Sequence, residues 1–339
     1  MAPPADHLPA PLPRFCFVVH ALSRLHRGIM GVPSGRLDLV GQWNDGTRPD
    51  DAVPVCSFQL SGVAEGVVVG VPMIPADMLA DQARAVSCMA HAVKLAGPVS
   101  AVGLGSLCAV VGGRGDALAD QLGPPVTNGG AATAWALLEN VRAVCSVRQE
   151  DRVSIVGARS PVGQAVARRL VEDGFDVTVD HPRAARSTAA RSAQTAEEAV
   201  AGATVIVGAG PTGGTVPAAC IRDHAVVIDV AIPGTVIGRP NPSVRILAGE
   251  AVSFPAHWRK GFWGWLYHVL SGYGPNQVFA CLIEPLVLAC SHRREPYSIG
   301  RALDPSDVVE FGAAAQQLGF APRLAKGWSA VDSNQLILP

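Results

Sequence analysis

Val153-Ser154-Ile155-Val156-Gly157-Ala158-Arg159-Ser160-Pro161-Val162-Gly163 carries an apolar, strand-like run into a glycine turn and out into a helical pattern. A turn so placed offers a phosphate the free N–H groups and positive dipole end of a helix. Gly157 permits the tight bend, and Gly163 permits helix and strand to close on each other. Ser160 stands where the usual fingerprint has its middle glycine, and its hydroxyl can itself bond a phosphate. Arg159 and Val162 are the other turn positions that face a bound nucleotide in this reading. A purely structural strand-to-helix turn can share this string, so its meaning rests on the elements downstream of Gly163.

Those elements alternate regularly. A helical pattern over 162–173 ends at Gly174, and 176–179 reads as the next strand. A helix near 195–201 precedes strands at 204–207 and 225–229. This rhythm predicts a parallel sheet with helices on both faces, a Rossmann-like doubly wound α/β domain over residues 150–250. Gly208, Ala209 and Asp229 fall at strand ends, where the carboxyl edge of such a sheet faces its ligand. Asp180, at the end of the second strand, can accept from a ribose 2′-hydroxyl and so favours NADH. Arg183, Arg186, Ser187 and Arg191 beyond it, with Arg159 in the turn, suit a 2′-phosphate or simply solvate a loop. The balance favours NADPH, with NADH not excluded.

The flanking regions read differently. Residues 1–14 form a flexible Pro-rich tail, and 326–339 form a second tail. Residues 15–149 are an N-terminal α/β domain for the substrate. They hold strands at 15–19 and 66–72 around a Gly/Pro/Asp-rich stretch, an amphipathic helix over 76–95, a Gly-bearing strand and turn over 99–111, and a helix over 131–147. Residues 251–325 begin aromatic and become helical over 276–290 and 305–318. A formal net charge of −1 argues against nucleic-acid binding. No apolar run approaches the length of a membrane span, and the start has no secretory signal pattern. The eight cysteines are scattered without C-x-x-C spacing, which predicts a reduced, cytoplasmic protein with no metal site.

One cysteine differs by position. Asn276-Gln277-Val278-Phe279-Ala280-Cys281-Leu282-Ile283-Glu284 places Cys281 on an apolar run downstream of the nucleotide-binding unit. Most free cysteines simply pack. A thiol that meets a nicotinamide ring can instead capture an acyl group. Only the thiolate is competent, so a helix N-terminus or a cation is expected to lower its pKa. Pro275 and Asn276 are compatible with a helix start there.

Two resemblances appear on these residues. Residues 153–238, with Val177-Thr178-Val179-Asp180-His181-Pro182-Arg183, resemble the NADP-binding half of methylenetetrahydrofolate dehydrogenases. That family's catalytic lysine motif has no counterpart in the first region. Most of the chain resembles the long-chain acyl-[acyl-carrier-protein] reductases, which form fatty aldehydes. The resemblance runs through Gly103-Leu104-Gly105-Ser106-Leu107-Cys108, through Thr127-Asn128-Gly129-Gly130-Ala131-Ala132-Thr133-Ala134-Trp135, and through Gln277, Phe279, Ala280, Cys281, Glu284 and Leu288. Gly300-Arg301 and Gly319-Phe320-Ala321-Pro322 match its end. Gly130 and Ala132 stand where that family has Asn and His, and Cys108 where it usually has Thr, so a different acyl group is expected.

This second resemblance implies that Cys281 carries the acyl intermediate and that Ser106, Thr127, Thr133, Gln277, Phe279 and Glu284 serve the substrate. The expected substrate is an acyl carrier protein or CoA thioester, reduced to an aldehyde. His257 or His268 can supply a proton or merely pack, and Glu284 can orient groups or cap a neighbouring helix. Phe254, Trp258, Phe262, Trp263, Trp265 and Tyr267 can line an acyl tunnel or form an ordinary core. Arg259, Lys260, Arg293 and Arg294 can steer an acidic carrier. The alternatives are direct hydride transfer to a small carbonyl or imine with Cys281 structural, or a non-catalytic nucleotide-binding protein.

Overall fold

The computed structural model describes residues 12–21, 53–60, 62–145, 151–210, 213–231, 234–255, 258–260, 276–291 and 293–326. His257, His268, Phe262, Trp263, Trp265 and Tyr267 lie outside the described residues, as does most of each tail. Arg14 and Lys326, assigned to the tails from sequence, belong to strands.

Two mixed sheets, each with a parallel centre and antiparallel edge pairing, organise the molecule. The first contains β1 (Arg14–His20), β2 (Val53–Leu60) and β3 (Ala64–Val71). In β1, Phe15, Cys16, Phe17 and Val18 are all buried, so this unbroken apolar run sits at the sheet's centre with both faces covered. Helices α1 (Pro75–Ala80) and α2 (Gln82–Leu95) replace the single helix expected over 76–95. The break is Asp81, whose extended backbone and carboxylate cap α2 by accepting from the Arg84 N–H at 2.9 Å. Then come β4 (Ala101–Leu104), a 3-10 turn at Ser106–Ala109, the short α3 (Val111–Arg114) and α4 (Asp116–Ala119), β5 (Val126–Thr127) and α5 (Gly130–Val144).

The second sheet begins with β6 (Arg152–Val156), α6 (Pro161–Glu172) and β7 (Asp176–Val179), as the sequence predicts. α7 (Pro182–Thr188), β8 (Arg191–Ser192), α8 (Ala196–Val200) and β9 (Val205–Gly208) follow. After them come β10 (Val216–Pro217), β11 (Val226–Asp229), β12 (Val236–Ile237) and β13 (Arg245–Ala248). α7 and β13 were not anticipated, because each is short and carries exposed arginine where periodicity would need apolar residues.

The last elements are β14 (Ala251–Ser253), β15 (Trp258–Lys260), β16 (Gln277–Phe279), α9 (Ala280–Cys290), α10 (Pro305–Gln317), β17 (Ala321–Pro322) and β18 (Ala325–Lys326). They stitch the two sheets together. β15 extends the first sheet through antiparallel pairing with β2, and β18 extends the second through β13. α9 lies across the first sheet at a glycine: a Cβ on Gly103 would come within 2.4 Å of Pro285. α10 packs on α5 in the same manner, with Gly312 against Trp135 and Phe311 edge-on to both Trp135 and Tyr297.

Strand order locates the clefts. The sheets run β15-β2-β3-β1-β4-β5 and β18-β13-β11-β9-β6-β7-β8. In the first the order reverses between β1 and β4, and in the second between β6 and β9. A crevice opens at the carboxyl ends of strands at each reversal. Among the described residues no helix is long and apolar enough to cross a membrane.

Candidate functional site

At the β6–β9 crevice the glycine turn is built from backbone. Gly157 has φ 82°, and a Cβ there would meet the Gly210 nitrogen at 2.3 Å, so the two loops touch main chain to main chain. Gly163 packs equally closely, with a Cβ position 2.6 Å from the Gly157 carbonyl oxygen. Val162 is half-buried against the core.

The polar residues assigned here to the nucleotide have other partners. Ser160 caps α6: its hydroxyl accepts from the Gly163 N–H at 2.9 Å and donates to the Ala209 carbonyl at 2.7 Å. The Asp180 carboxylate accepts from the N–H groups of Gly157 at 2.7 Å and Ala158 at 3.1 Å, so it holds the turn shut. Asp229 accepts from the Ala231 N–H, from the Thr235 N–H and from the Thr235 hydroxyl, and thereby folds the loop after β11. Burial pushes the Asp229 carboxyl up, and these hydrogen bonds pull it back. Gly208 makes room for it, since a Cβ there would sit 2.3 Å from Asp229 Oδ1. Arg159, Arg183 and Arg186 are exposed around this turn, whereas Arg191 pairs with Asp176 at 2.6 Å. The Ser187 hydroxyl donates to the Ala184 carbonyl within α7.

The second crevice lies along the first sheet. Cys281 occupies the first turn of α9, because the strand β16 takes up 277–279 and the helix begins at Ala280. The helix is thus shorter than the 276–290 expected, and Cys281 is nearer its N-terminus. Gly129, at φ 76°, has a Cβ position only 2.4 Å from the Cys281 Cβ; any side chain there would expel the cysteine. Pro285 has no N–H for the Cys281 carbonyl four residues back, which leaves the first turn open on that side.

The expected lowering of the thiol pKa is not found. Burial, then the charges of Glu250 and Glu284, push Cys281 up to about 12, against the opposing pull of the Cys281 and Leu282 N–H groups. The helix terminus acts in the anticipated direction and is outweighed. Burial also raises Cys16, Cys145 and Cys290, and Cys220 and Cys290 are as partly exposed, so Cys281 is distinguished by its position.

Glu284, fully buried, proves to be the cap of α5. Its carboxylate accepts from the Thr127 hydroxyl, the Ser298 hydroxyl at 2.6 Å and the Ala132 N–H at 2.7 Å. This arrangement supplies the first turn of α5, whose N-cap Gly129 has no side chain. Thr127 is also fully buried and Thr133 bonds back to the Gly129 carbonyl at 2.8 Å, so all three side chains are engaged within the protein. Gln277 pairs with Ser253, and Phe279 packs on Ala251 and on Ala248 and Ala325 of the second sheet's edge. Phe254 packs against the main core. Arg293 bridges Asp307 and Glu310 beneath the Tyr297 ring, which removes it from any carrier-facing surface.

Ser106 is exposed and strained, at φ 51°, immediately beyond β4. Its hydroxyl lies 3.2 Å from Nε2 of buried His20, whose Nδ1 is 2.9 Å from the Ala21 carbonyl. Nδ1–H donation to that carbonyl makes Nε2 the acceptor, for Ser106 and for the Leu107 N–H at 3.2 Å. Val18 pairs with Leu104 and Gly103 with Thr127, so His20, Ser106 and Gly129 all follow the carboxyl ends of adjacent strands, and Gly129 in turn packs on Cys281. Reading the sequence missed His20, although it ends the most apolar strand of the first region.

Glu250 was missed as well. It follows β13, is 7% exposed, and its carbonyl accepts from the Ala280 N–H at 2.8 Å. The pairing of Ala251 with Phe279 fixes that junction. The thiol edge of the first sheet and the strand ends of the second meet here. Among the described residues no cluster suited to a metal ion occurs.

No protein-family model matches the chain. Over 310 residues, 83% of this chain and 35% of the relative, it is 28% identical to aminotransferase PigE of a Serratia species. Over 139 residues, 41% of each chain, it is 34% identical to the bifunctional protein FolD of Acidithiobacillus ferrooxidans. The chain thus spans only 35% and 41% of the length of the curated relatives it matches. Among solved structures it is similar to a dipicolinate synthase from Bacillus halodurans, at 13% identity and TM-score 0.29, over 68% of this chain and 90% of that one. D-lactate dehydrogenase with NAD+ from Lactobacillus jensenii matches at 11% identity and TM-score 0.24, over 63% and 70%.

Proposed function

We propose that this chain is a nicotinamide-dinucleotide-dependent oxidoreductase that reduces an acyl thioester to an aldehyde through an acyl group carried on Cys281. The observation that supports it best is the packing of Cys281 against Gly129. It holds a partly exposed thiol on the first sheet's carboxyl edge, one backbone hydrogen bond from the second sheet's strand ends. A buried structural cysteine has no need of a glycine at φ 76° opposite it.

The glycine turn at Gly157, opening α6 beside the end of β9 at Gly208, has the position of a pyrophosphate cradle. Asp180 is engaged by the turn, and Arg159, Arg183 and Arg186 are exposed beside it, so the reading takes NADPH over NADH. Bound there, the reduced nicotinamide supplies the hydride. Cys281 attacks the thioester carbonyl and expels the carrier thiol, dividing one difficult displacement into two easier steps. Ser106, its hydroxyl bonded to His20, lies exposed beyond β4 on the side where the substrate approaches. Gln277 and Phe279 flank the acyl group, and Glu284, Thr127 and Thr133 keep α5 and the thiol in place. The thiol donor is a carrier protein or CoA.

Incubation with octanoyl-CoA and with an octanoyl carrier protein, without nucleotide, followed by mass spectrometry, tests this reading. A single octanoyl adduct on Cys281, lost in Cys281→Ala, is expected. Full aldehyde formation by Cys281→Ala would refute it in favour of direct hydride transfer.

A further inference from the structure

We propose that Glu250 is the general base of this site, taking the proton of the Cys281 thiol and returning it to the departing thiol. The proposal rests on the reading of Cys281 as the acyl-carrying residue. It starts from where two chain segments are forced together. The pairing of Ala251 with Phe279 and the 2.8 Å bond from the Ala280 N–H to the Glu250 carbonyl lock Glu250 beside the first turn of α9. The other flank is equally fixed. The Asn140 amide donates to the Gly249 carbonyl at 2.8 Å, and the Gly249 N–H donates to the Asp229 carbonyl at 2.9 Å. A Cβ on Gly249 would meet Leu137 and Ile228 at 2.6 and 2.7 Å. The carboxylate therefore hangs, buried, from a rigid corner at the end of β13, and that corner is bonded to the residue before Cys281.

Two carboxylates bear on that thiol, and their duties differ. Glu284 caps α5 through Thr127, Ser298 and Ala132, and losing its charge would strip that helix end. Glu250 comes from a different segment, just past β13, and its backbone is bonded to Ala280 next to the thiol. Its charge opposes a standing thiolate, as the raised thiol pKa reflects. An arrangement that disfavours free thiolate suits proton transfer within the pair at the moment of attack. The S–H proton passes to the Glu250 carboxylate as sulfur bonds to the thioester carbonyl carbon. The bond from that carbon to the donor's sulfur then breaks, and the donor leaves as a thiol with the proton from Glu250. Glu250 is thereby restored, and the thiol is restored once hydride from the reduced nicotinamide has released the aldehyde and Cys281 is reprotonated from solvent.

The test needs no substrate, so it stands or falls separately from the thioester reading. The rate of Cys281 alkylation by iodoacetamide is measured between about pH 6.5 and 8.5 on the native chain, Glu250→Gln and Glu250→Asp, with adducts mapped by mass spectrometry. A thiol titrating directly into water reacts about tenfold faster per pH unit. Transfer to Glu250 predicts a nearly level profile for the native chain and a tenfold-per-unit slope for Glu250→Gln. The variant should be slower at the acid end and faster at the alkaline end, because the opposing charge is gone. Glu250→Asp, which keeps a carboxylate, should restore a shallow slope at a reduced rate. A tenfold-per-unit slope in the native chain overturns the proposal whether or not the variants fold, and so do parallel profiles for native and Glu250→Gln. If octanoyl-CoA fails to acylate Cys281 while the profiles cross, the base assignment survives and the thioester reading does not.

Discussion

At the second sheet's carboxyl edge the acids turn back on their own loops: Asp180 closes the turn after β6, and Asp229 closes the loop after β11. At the first sheet's edge the acids arrive from distant segments, Glu284 from α9 and Glu250 from the end of β13. The first design yields a preformed cradle of backbone that can be read from a local string. The second yields a site that exists only when several segments have docked, and its chemistry depends on long-range packing. Variants that damage one edge and spare the other therefore separate nucleotide binding from thiol chemistry.

The largest effect belongs to the docked edge. Glu284→Ala takes the shared acceptor from the Ser298 hydroxyl and the Ala132 N–H and leaves the Thr127 hydroxyl with the Ser298 carbonyl at 3.0 Å. Loss of one member of such a buried charged network costs about 3–5 kcal/mol, which urea unfolding should register as a shifted midpoint. Thr127→Val, which keeps the shape and removes one donor, should cost roughly 1–2 kcal/mol. Equal losses for the two would mean that the carboxylate is not the hub. Next comes Gly157→Ala at the cradle. Its φ of 82° and the 2.3 Å approach to Gly210 should cost about 2 kcal/mol, abolish NADPH-induced thermal stabilisation, and leave the iodoacetamide reactivity of Cys281 intact.

The same contrast explains what was legible beforehand. The alternation around Gly157 predicted β6, α6, β7, β9 and β11 closely, because each is a local pattern whose period matches its burial. Helix 76–95 failed as one element because a single capping aspartate outweighed a continuous apolar stripe. The thiol site was legible only in part. Resemblance pointed to Cys281, but no spacing could reveal that Glu284 caps α5 or that Glu250 lies across a strand pair from Ala280. His20 gave a weak local sign, a polar residue ending a wholly apolar strand at a point of strand-order reversal. For Ser160 and Asp180 nothing in the sequence signalled their bonds within the chain: a short polar side chain beside bare N–H groups bonds the nearest of them.

Smaller effects probe the cradle's polar rim. Ser160→Ala removes the α6 cap and the link to Ala209, and should cost about 1 kcal/mol. Its NADPH affinity should fall only as far as the turn loosens. A loss far beyond that would return Ser160 to the role of a direct phosphate ligand.

The smallest effect on the fold and the sharpest on specificity is expected of Arg183→Ala combined with Arg186→Ala. Both side chains are exposed, on the helix that begins just after Asp180, and no ion pair to either is present among the described residues. Their removal should leave the unfolding midpoint unchanged, as surface substitutions usually do. If they meet a 2′-phosphate, the preference for NADPH over NADH should drop about tenfold or more through NADPH affinity alone, since charge-assisted contacts to phosphate are lost and NADH makes none. The drop should shrink with added salt, because exposed charges are screened. An unchanged preference would turn attention to Arg159 in the turn itself. Preserved NADPH preference in Arg159→Ala as well would leave the 2′-position unread by this edge, and the cradle would bind either nucleotide through its backbone.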